Sequence, residues 1–336
     1  MTKILDSKGN EIRLNSAEEK VVERFNAMGY QIDITTLTQV LKRVAEQKFY
    51  TVKPSDYIPV SVSEGAWSDQ LLQYKSYHMG GEFEDGIIDV GSDQDRLATV
   101  NAGLEPVYTK VFNWAKELHW SIPEIEQAAR TGVWDVIVEK EKARKKNWDL
   151  GIQKIAFEGN AKYGIAGLFN QSSVAANVTL ITKAIGKMTA AEFGAFMAGL
   201  LPAYRANANY TAYPSIFVIP EDDYNMLATC ADETYPLKTK LERIEDSMKL
   251  LTRNPEFKVL PSAYASKAVN GSTNIYALYN KSEDALRMNI PVDYTNTMAN
   301  STNGFQFENT AYGQFTGVTV IRPKEMIYFT NTADYS

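Results

Sequence analysis

Two stretches in the first third of the chain alternate between hydrophobic and polar residues. They are Leu71–His78 and Val107–Trp120, and the second places most of its aromatic residues on one face. A period of two is that of a β-strand, whose side chains point alternately to opposite sides. The segment between them, 80–103, is rich in glycine and acidic residues. The pattern therefore predicts a protruding β-hairpin arm with a flexible tip.

An unusually long helical pattern follows the second strand. Ser121 and Glu124 have the spacing of a capping box, and Pro123 lies in the first turn, where it costs no hydrogen bond. The pattern continues to Phe157, and Gly159 with the following Asn is a natural stop. We expect one continuous helix of about 36 residues, roughly 55 Å long.

The predicted helix carries two apolar stripes. One stripe consists mainly of small residues, and the other consists of Trp134, Ile137, Trp148, Ile152 and Ile155. Because a helix buried along one side needs a single stripe, the second stripe favours contact with a second surface. A single wide core face explains the periodicity equally well.

The remainder of the chain has a mixed α+β texture. Residues 1–50 form a polar arm that predicts two short helices, beginning near Ser16 and Asp33. After the long helix, the periodicity predicts three further helices at 188–205, 221–232 and 237–253. It also predicts one buried strand at 214–220. The last quarter predicts six strands separated by Gly, Asn and Pro turns.

Composition limits the classes of protein to which the chain can belong. Of its 336 residues, 44% are hydrophobic and 23% are charged, as in globular proteins. No apolar run reaches the roughly 20 residues of a membrane span, and the N-terminus lacks a signal-peptide core. A net charge of −6 disfavours a nucleic-acid binder with a basic surface. The single cysteine, Cys230, excludes an intrachain disulfide.

Motifs for catalysis or metal binding are weak. The two histidines, His78 and His119, lie in the predicted arm without metal-site spacing, so we interpret them as polar residues of a ribbon surface. Cys230 lies in an apolar helical segment, where a buried thiol is the usual outcome. Ala184–Thr189 resembles the end of a phosphate-binding loop but lacks the loop's first glycine. We therefore expect no catalytic residue, no cofactor and no metal.

Six acidic residues lie in the predicted tip, between Glu82 and Asp95. They do not follow the EF-hand pattern, so we prefer a solvated loop to a calcium site. The helical segment Glu139–Lys146 has five basic residues against two acidic ones. A third interpretation therefore docks the acidic tip on this segment of a neighbouring chain. Exposed ion pairs contribute only about 0–1 kcal/mol each. Such docking would therefore determine how the two chains are aligned more than how strongly they bind.

The aromatic residues of the arm need a cover. A two-stranded ribbon is marginally stable alone, and aromatic residues usually bury about 150–250 Å² each. Either these residues fold back on their own domain or another molecule covers them, and we prefer the second interpretation. The candidate contacts between subunits are Trp67, Tyr74, Tyr77, Glu82, Glu84, Asp85, Phe112, Trp114, Trp134, Lys142, Lys145 and Trp148.

The order of these elements resembles the major capsid protein of tailed bacteriophages, whose fold is shared with encapsulin shells. The resemblance spans nearly the whole chain. It is carried by "VYTKVFNWAKELHWSIPEIEQAA", by "YPSIFVIPEDDYNML" and by "IAFEGNAKYGIAGLFNQ". The last of these holds the family's turn into the apical domain, here formed by Gly164, Gly167, Leu168 and Asn170.

This resemblance implies an α+β fold, the tailed-phage major capsid fold, with five parts. They are an N-terminal arm at 1–59, an extended β-hairpin loop at 60–120, a long spine helix at 121–160, most of an apical domain at 161–255, and peripheral-domain strands with the remaining apical segments at 256–336. The extended loop would then lie over a neighbouring subunit. That contact would supply the missing cover for the aromatic residues.

The resemblance also implies a function. The chain would be a structural protein of the virion that self-assembles into pentamers and hexamers of an icosahedral shell around double-stranded DNA, formed in the bacterial host cytoplasm. Its partners would be further copies of itself, a portal protein, a scaffolding protein and a decoration protein. An encapsulin-like compartment is the nearest alternative. A hydrolase without a recognisable motif is the alternative from another class, with Asp222 and Asp223 as weak candidates that the helix dipole explains better.

Overall fold

The structure is a computed structural model that describes residues 48–81, 86–87, 99–131, 135–231, 236–271, 273–301 and 303–332. The chain divides into two compact units, and the described residues lie almost entirely in the second, which comprises 50–130 and 134–336. The two predicted N-terminal helices, beginning near Ser16 and Asp33, lie outside the described residues.

The described chain contains both helices and strands, and its last part, from β7 onward, is built mainly of strands. The helices are α1 (Pro54–Tyr57), α2 (Ile122–Thr131), α3 (Val136–Phe157), α4 (Ala190–Asn207), α5 (Glu221–Thr229), α6 (Lys240–Thr252) and α7 (Lys267–Asn270). The strands are β1 (Val60–Val62), β2 (Gln70–Met79), β3 (Asn101–Ser121), β4 (Ala175–Asn177), β5 (Ile216–Pro220), β6 (Lys258–Ser262), β7 (Asn274–Tyr279), β8 (Leu286–Ile290), β9 (Val292–Asn296), β10 (Asn300–Ser301), β11 (Gln306–Thr316), β12 (Val318–Val320) and β13 (Met326–Asn331). The α+β class expected from the sequence is confirmed.

The strands form three sheets. A five-stranded sheet has the order β4-β13-β7-β5-β6, and a three-stranded sheet has the order β1-β8-β12. The third sheet has the order β10-β11-β3-β2, with β9 also paired to β11. Strands that are distant in sequence, such as β3 and β11, therefore meet in one sheet.

Strand β3 is 21 residues long and changes partner once. Its first half pairs antiparallel with β2, from Asn101 opposite Met79 to Lys110 opposite Gln70. Its second half, from Val111 onward, pairs antiparallel with β11. The predicted hairpin is thus confirmed. The second predicted strand, however, extends beyond the hairpin into the body of the subunit.

The predicted long helix is interrupted. Helix α2 ends at Thr131, and α3 begins at Val136, directly after Asp135. Asp135 has an extended backbone, with φ −96° and ψ 103°, and its carboxylate accepts hydrogen bonds from the N–H groups of Ile137 and Val138. The prediction of one continuous helix was therefore wrong, because Asp135 caps a new helix, as aspartate commonly does.

The predicted stop of this helix is confirmed. Gly159 has φ +70°, and its N–H donates to the carbonyls of Lys154 and Ile155. A left-handed glycine just beyond the last turn is a common helix terminator. The chain therefore leaves α3 in a fixed direction.

The turn after α3 is held against the end of the helix. Asn170 Oδ1 accepts from the N–H of Gly167 at 2.6 Å, and Asn170 Nδ2 donates to the carbonyl of Glu158 at 2.7 Å. A Cβ added at Gly167 would lie 2.5 Å from the backbone nitrogen of Gly159, so the two backbones approach too closely for a side chain. The glycine and asparagine of the predicted turn thus have a direct steric and hydrogen-bonding role.

The five-stranded sheet separates two hydrophobic cores. Alternate residues of β5 point into different cores, with Ile216 and Val218 in one and Phe217 and Ile219 in the other. The first core contains much of α3, and the second contains α4 and α6. Strand β5 is consequently buried along its whole length, as its apolar sequence predicts.

Candidate intersubunit surface

The arm, formed by β2 and the first half of β3, has one strongly apolar face. Leu72 lies opposite Tyr108, and Tyr74 lies opposite Pro106, so these side chains share a face. Leu104 lies on the same face, and its side chain is 64% exposed. Leu72, Tyr74 and Tyr108 are exposed as well. The structure therefore places a continuous strip of uncovered apolar side chains along the arm.

The opposite face of the arm is more polar and partly covered. Lys75 forms an ion pair with Glu105 across the two strands at 3.7 Å. Tyr77 lies over Gly103, where an added Cβ would overlap the tyrosine ring. Glycine at this position lets the ring pack on the backbone, although the Tyr77 side chain is still about half exposed. The two faces of the arm thus differ in polarity.

Trp67 lies at the base of the arm and contacts its own subunit. Its backbone N–H donates to Gln314 Oε1 at 2.8 Å, and its ring lies 5.7 Å from the Tyr312 ring. The side chain is nevertheless 69% exposed. Trp67 has a left-handed backbone with φ 64°, which is uncommon for a bulky residue. This residue is therefore held in place and still presents most of its ring to solvent.

We call the second half of β3, the paired strand β11 and the part of α3 against them the root. Aromatic residues predicted to contact a neighbour are covered here within the subunit. The rings of Trp114 and Trp148 are 5.1 Å apart, and Phe112 stacks on Phe315 at 6.0 Å. Trp148 is only 3% exposed. The assignment of these residues to an intersubunit surface was wrong for Trp148, which has almost no surface left, and Phe112 and Trp114 are half-buried in the same packing.

The close packing at the root depends on Gly313. A Cβ added at this residue of β11 would lie 2.5 Å from the Trp148 ring. The ring therefore rests directly on the strand backbone. The pairing of β11 with β9 is irregular between Tyr312 and Gln314, at the same position. Sequence reasoning gave no sign of this contact, because Gly313 and Trp148 are far apart in the chain.

The sequence of the protein matches one family model. That model describes the major capsid protein, and it matches residues 87–331, which is most of the chain. This chain belongs to the major capsid protein family. The family makes it a structural protein of a phage-type shell and not an enzyme.

Solved capsid structures have the same fold as this capsid protein. The capsid of Myoviridae phage XM1 matches with a TM-score of 0.73 at 19% sequence identity, over 90% of this chain and 99% of that chain. Microbacterium phage Oxtober96 matches with a TM-score of 0.58 at 9% identity, over 93% and 99% of the two chains. The capsid of a native GTA particle matches with a TM-score of 0.54 at 10% identity, over 90% and 99%. No curated protein matches the sequence at a significant level.

The basic segment of α3 in this capsid protein is largely engaged within the subunit. Arg144 is buried and donates to Tyr294 Oη at 2.9 Å, to the Asn309 carbonyl at 2.7 Å and to Asn309 Oδ1 at 2.6 Å. Lys142 pairs with Glu139 at 2.8 Å, and Lys145 pairs with an aspartate of α3 at 3.2 Å. The interpretation of this segment as a basic docking surface was wrong for Arg144, because the buried guanidinium ties α3 to β11 and β9.

Four other predicted contact residues lie outside the described part of the chain. They are Glu82, Glu84, Asp85 and Trp134. Their proposed contacts with a neighbouring capsid protein remain predictions. Among the described helices, none has the length and apolarity needed to cross a membrane.

One of the weak catalytic candidates of the capsid protein, Asp223, has a structural role. Asp223 is buried, and its carboxylate accepts hydrogen bonds from the N–H groups of Ile185 and Gly186 at 2.8 Å each and from Tyr276 Oη at 2.9 Å. Burial raises the pKa of Asp223, while the two backbone donors act in the opposite direction. The loop that resembles a phosphate-binding turn thus directs its N–H groups at this carboxylate. Lys240 Nζ donates to the Gly186 carbonyl at 3.1 Å and holds the loop from the other side.

Proposed function

We propose that this capsid protein assembles into pentamers and hexamers, and that these close into an icosahedral shell around double-stranded DNA. The family and the fold support a shell-forming role. The observation that carries the finer proposal is the exposed apolar face of the arm. An exposed two-stranded ribbon gains little stability from its own packing, so a surface that covers this face would stabilise it.

A neighbouring copy of the same chain suits the role of this cover. Leu72, Tyr74, Leu104 and Tyr108 project from one side of a ribbon whose polar side carries the Lys75–Glu105 ion pair. Closed homo-oligomers repeat one contact around a symmetry axis, so each subunit would cover one arm and have its own arm covered. In the shell, the arm would thereby contribute to every contact around a capsomer.

Expression of the full chain tests the proposal directly. We expect purified protein to give particles of megadalton mass by light scattering and closed shells or capsomers in negative-stain electron micrographs. Protein that stays monomeric under all assembly conditions would contradict it. The variant Leu104→Ser tests the arm, and Val178→Ser is its matched control, because Val178 is also 64% exposed but lies next to β4.

The contents of the particles distinguish a phage shell from an encapsulin-like compartment. Particles made together with phage packaging proteins should protect double-stranded DNA from nuclease. Particles that enclose a protein cargo and no protected DNA would favour the compartment. We expect the shell to enclose the DNA without sequence-specific binding, because a net charge of −6 disfavours a basic DNA-binding surface.

The further partners are part of the same proposal. A closed shell that takes up DNA needs an entry vertex and a means of setting its size. A portal protein and a scaffolding protein would meet these needs, and a decoration protein would reinforce the outer surface. Assembly would take place in the cytoplasm of the bacterial host. Co-purification of the chain with the products of neighbouring genes tests these partners.

A further inference from the structure

Three side chains with metal-binding groups meet on the outward face of the root. Glu117 and His119 are two residues apart on β3 and therefore point to the same side of the sheet. Glu308 of β11 lies directly opposite His119 in the strand register. The even-numbered residues of β3 point to the other side, where Trp114 packs against Trp148 of α3. The register of the two strands thus brings Glu308 beside two groups from which it is far apart in sequence.

The distances between the three groups fit a shared ion. One imidazole nitrogen and one oxygen from each carboxylate all lie within 4.8 Å of one another. His119 Nε2 is 3.6 Å from Glu117 Oε2. Zinc binds nitrogen and oxygen at about 2.0–2.2 Å, so two of its ligand atoms lie roughly 3–4 Å apart. Because Glu117 and His119 are exposed, small side-chain rotations close the remaining gap.

The charges at this cluster have no basic partner in the described part of the chain. Glu117 pairs there only with His119, and Glu308 forms no ion pair with lysine or arginine. By contrast, Glu105 of the arm pairs with Lys75, and Glu124 of α2 pairs with Lys140. Two carboxylates that lie on one face with no lysine or arginine between them repel each other. A bound cation removes this repulsion.

We propose that Glu117, His119 and Glu308 bind a divalent transition-metal ion of the zinc type. An imidazole combined with carboxylates suits zinc and its neighbours in the first transition row, whereas calcium and magnesium prefer oxygen ligands alone. Three protein ligands leave the remaining coordination positions to water. The ion links β3 to β11 near the end of β3, close to Ser121, where helix α2 follows. This inference rests on the fold and is independent of pentamer and hexamer formation.

Titration of untagged full-length protein tests the site. We expect isothermal titration calorimetry with zinc chloride to give one ion per subunit, with no competition from excess magnesium. We expect cobalt(II) to bind at the same site and to give visible absorption bands that zinc removes. The variants His119→Ala and Glu308→Gln should each weaken binding by more than the roughly 10–100-fold that loss of an outer partner costs.

The sequence offers a matched control for this experiment. His78, the other histidine of the chain, lies exposed on the arm, so His78→Ala should leave zinc affinity unchanged. Cys230→Ser should also leave it unchanged. The proposal is overturned if the wild-type protein binds no zinc, if Glu308→Gln binds zinc as the wild type does, or if His78→Ala loses as much affinity as His119→Ala. Circular dichroism of each variant separates lost binding from lost folding, and Glu308→Gln keeps the test decisive if His119→Ala fails to fold.

Discussion

The arm and the root are built on one strand and have similar residues, yet they bury them differently. Leu104 and Tyr108 lie in the first half of β3 and are exposed, whereas Trp114 lies in the second half and packs on the buried Trp148. Both halves alternate in the same way, and both are rich in large apolar side chains. The difference arises from what lies beside the strand. The arm has only β2, while the root has β11 and also α3 across its inner face.

An alternating pattern alone does not determine whether an aromatic strand is buried. Alternation specifies which side chains share a face, but it does not specify whether that face is covered by the same chain. The covering residues of the root come from β11 and α3, which follow β3 at very different separations in sequence. The exposed arm face is therefore the part of the pattern that still needs another molecule.

The largest expected effect of a substitution is at the centre of the root. Trp148→Ala removes a side chain that packs on Trp114 and Phe315. Replacing a fully buried large aromatic residue by alanine typically costs about 3–5 kcal/mol in the free energy of unfolding. Urea denaturation of the unassembled subunit measures this change. Unchanged stability would mean that the root is not a packed core.

A smaller loss is expected when the buried cation of the root is removed. Arg144→Met keeps most of the apolar stem but leaves Asn309 and Tyr294 without their donor. A buried acceptor that loses its partner costs about 1–3 kcal/mol, so we expect a destabilisation of roughly 2–3 kcal/mol. The same denaturation assay applies. Lys142→Met, at an exposed position of the same helix, is the control and should change stability by less than about 0.5 kcal/mol.

Gly313→Ala should have a moderate effect. The new Cβ would lie 2.5 Å from the Trp148 ring, so the ring or the strand must move. Overpacking of this kind typically costs about 1–3 kcal/mol. The double variant with Trp148→Ala should recover part of that cost, because the alanine leaves space for the added methyl group. Full additivity of the two effects would show that the two residues do not touch in solution.

The smallest effect on subunit stability, and the clearest contrast, is expected on the arm. Tyr74→Ser and Leu104→Ser remove exposed side chains, so each should change the free energy of unfolding by less than about 0.5 kcal/mol. Both should nevertheless reduce the yield of shells in electron micrographs and light scattering. If these variants lose subunit stability as much as they lose shell yield, the arm is a packed part of the subunit like the root, and the contrast between the two regions is wrong.

Much of the fold could be predicted from the sequence because its signals are local. The β-hairpin, the stop at Gly159 and the buried strand β5 all follow from periodicity and turn residues within short windows. The break at Asp135 was missed because the helical periodicity continues across it, and only the cap geometry reveals a new start. A single aspartate within an amphipathic pattern is usually a surface residue.

The candidate surface was less predictable because it depends on long-range pairing. The sequence identified the exposed aromatic residues of the arm and placed Trp148 among them, although the structure buries Trp148 beneath β11. It also showed no metal-site spacing around His119, because Glu308 reaches that histidine only through the register of β3 and β11. Periodicity gives the faces of single elements, and it carries no information on which elements meet.

The unbroken course of β3 determines how the arm responds to tension. The strand is roughly 70 Å long, and its pairing changes from β2 at Lys110 to β11 at Val111. No residue between the two partners is left unpaired. A pull along the arm therefore acts parallel to the strand and loads the hydrogen bonds to β11 in shear. Bonds loaded in shear share the force and must fail together, whereas bonds that are peeled apart fail one by one. The joint between arm and body is consequently strongest in the direction in which a neighbour holding the arm would pull.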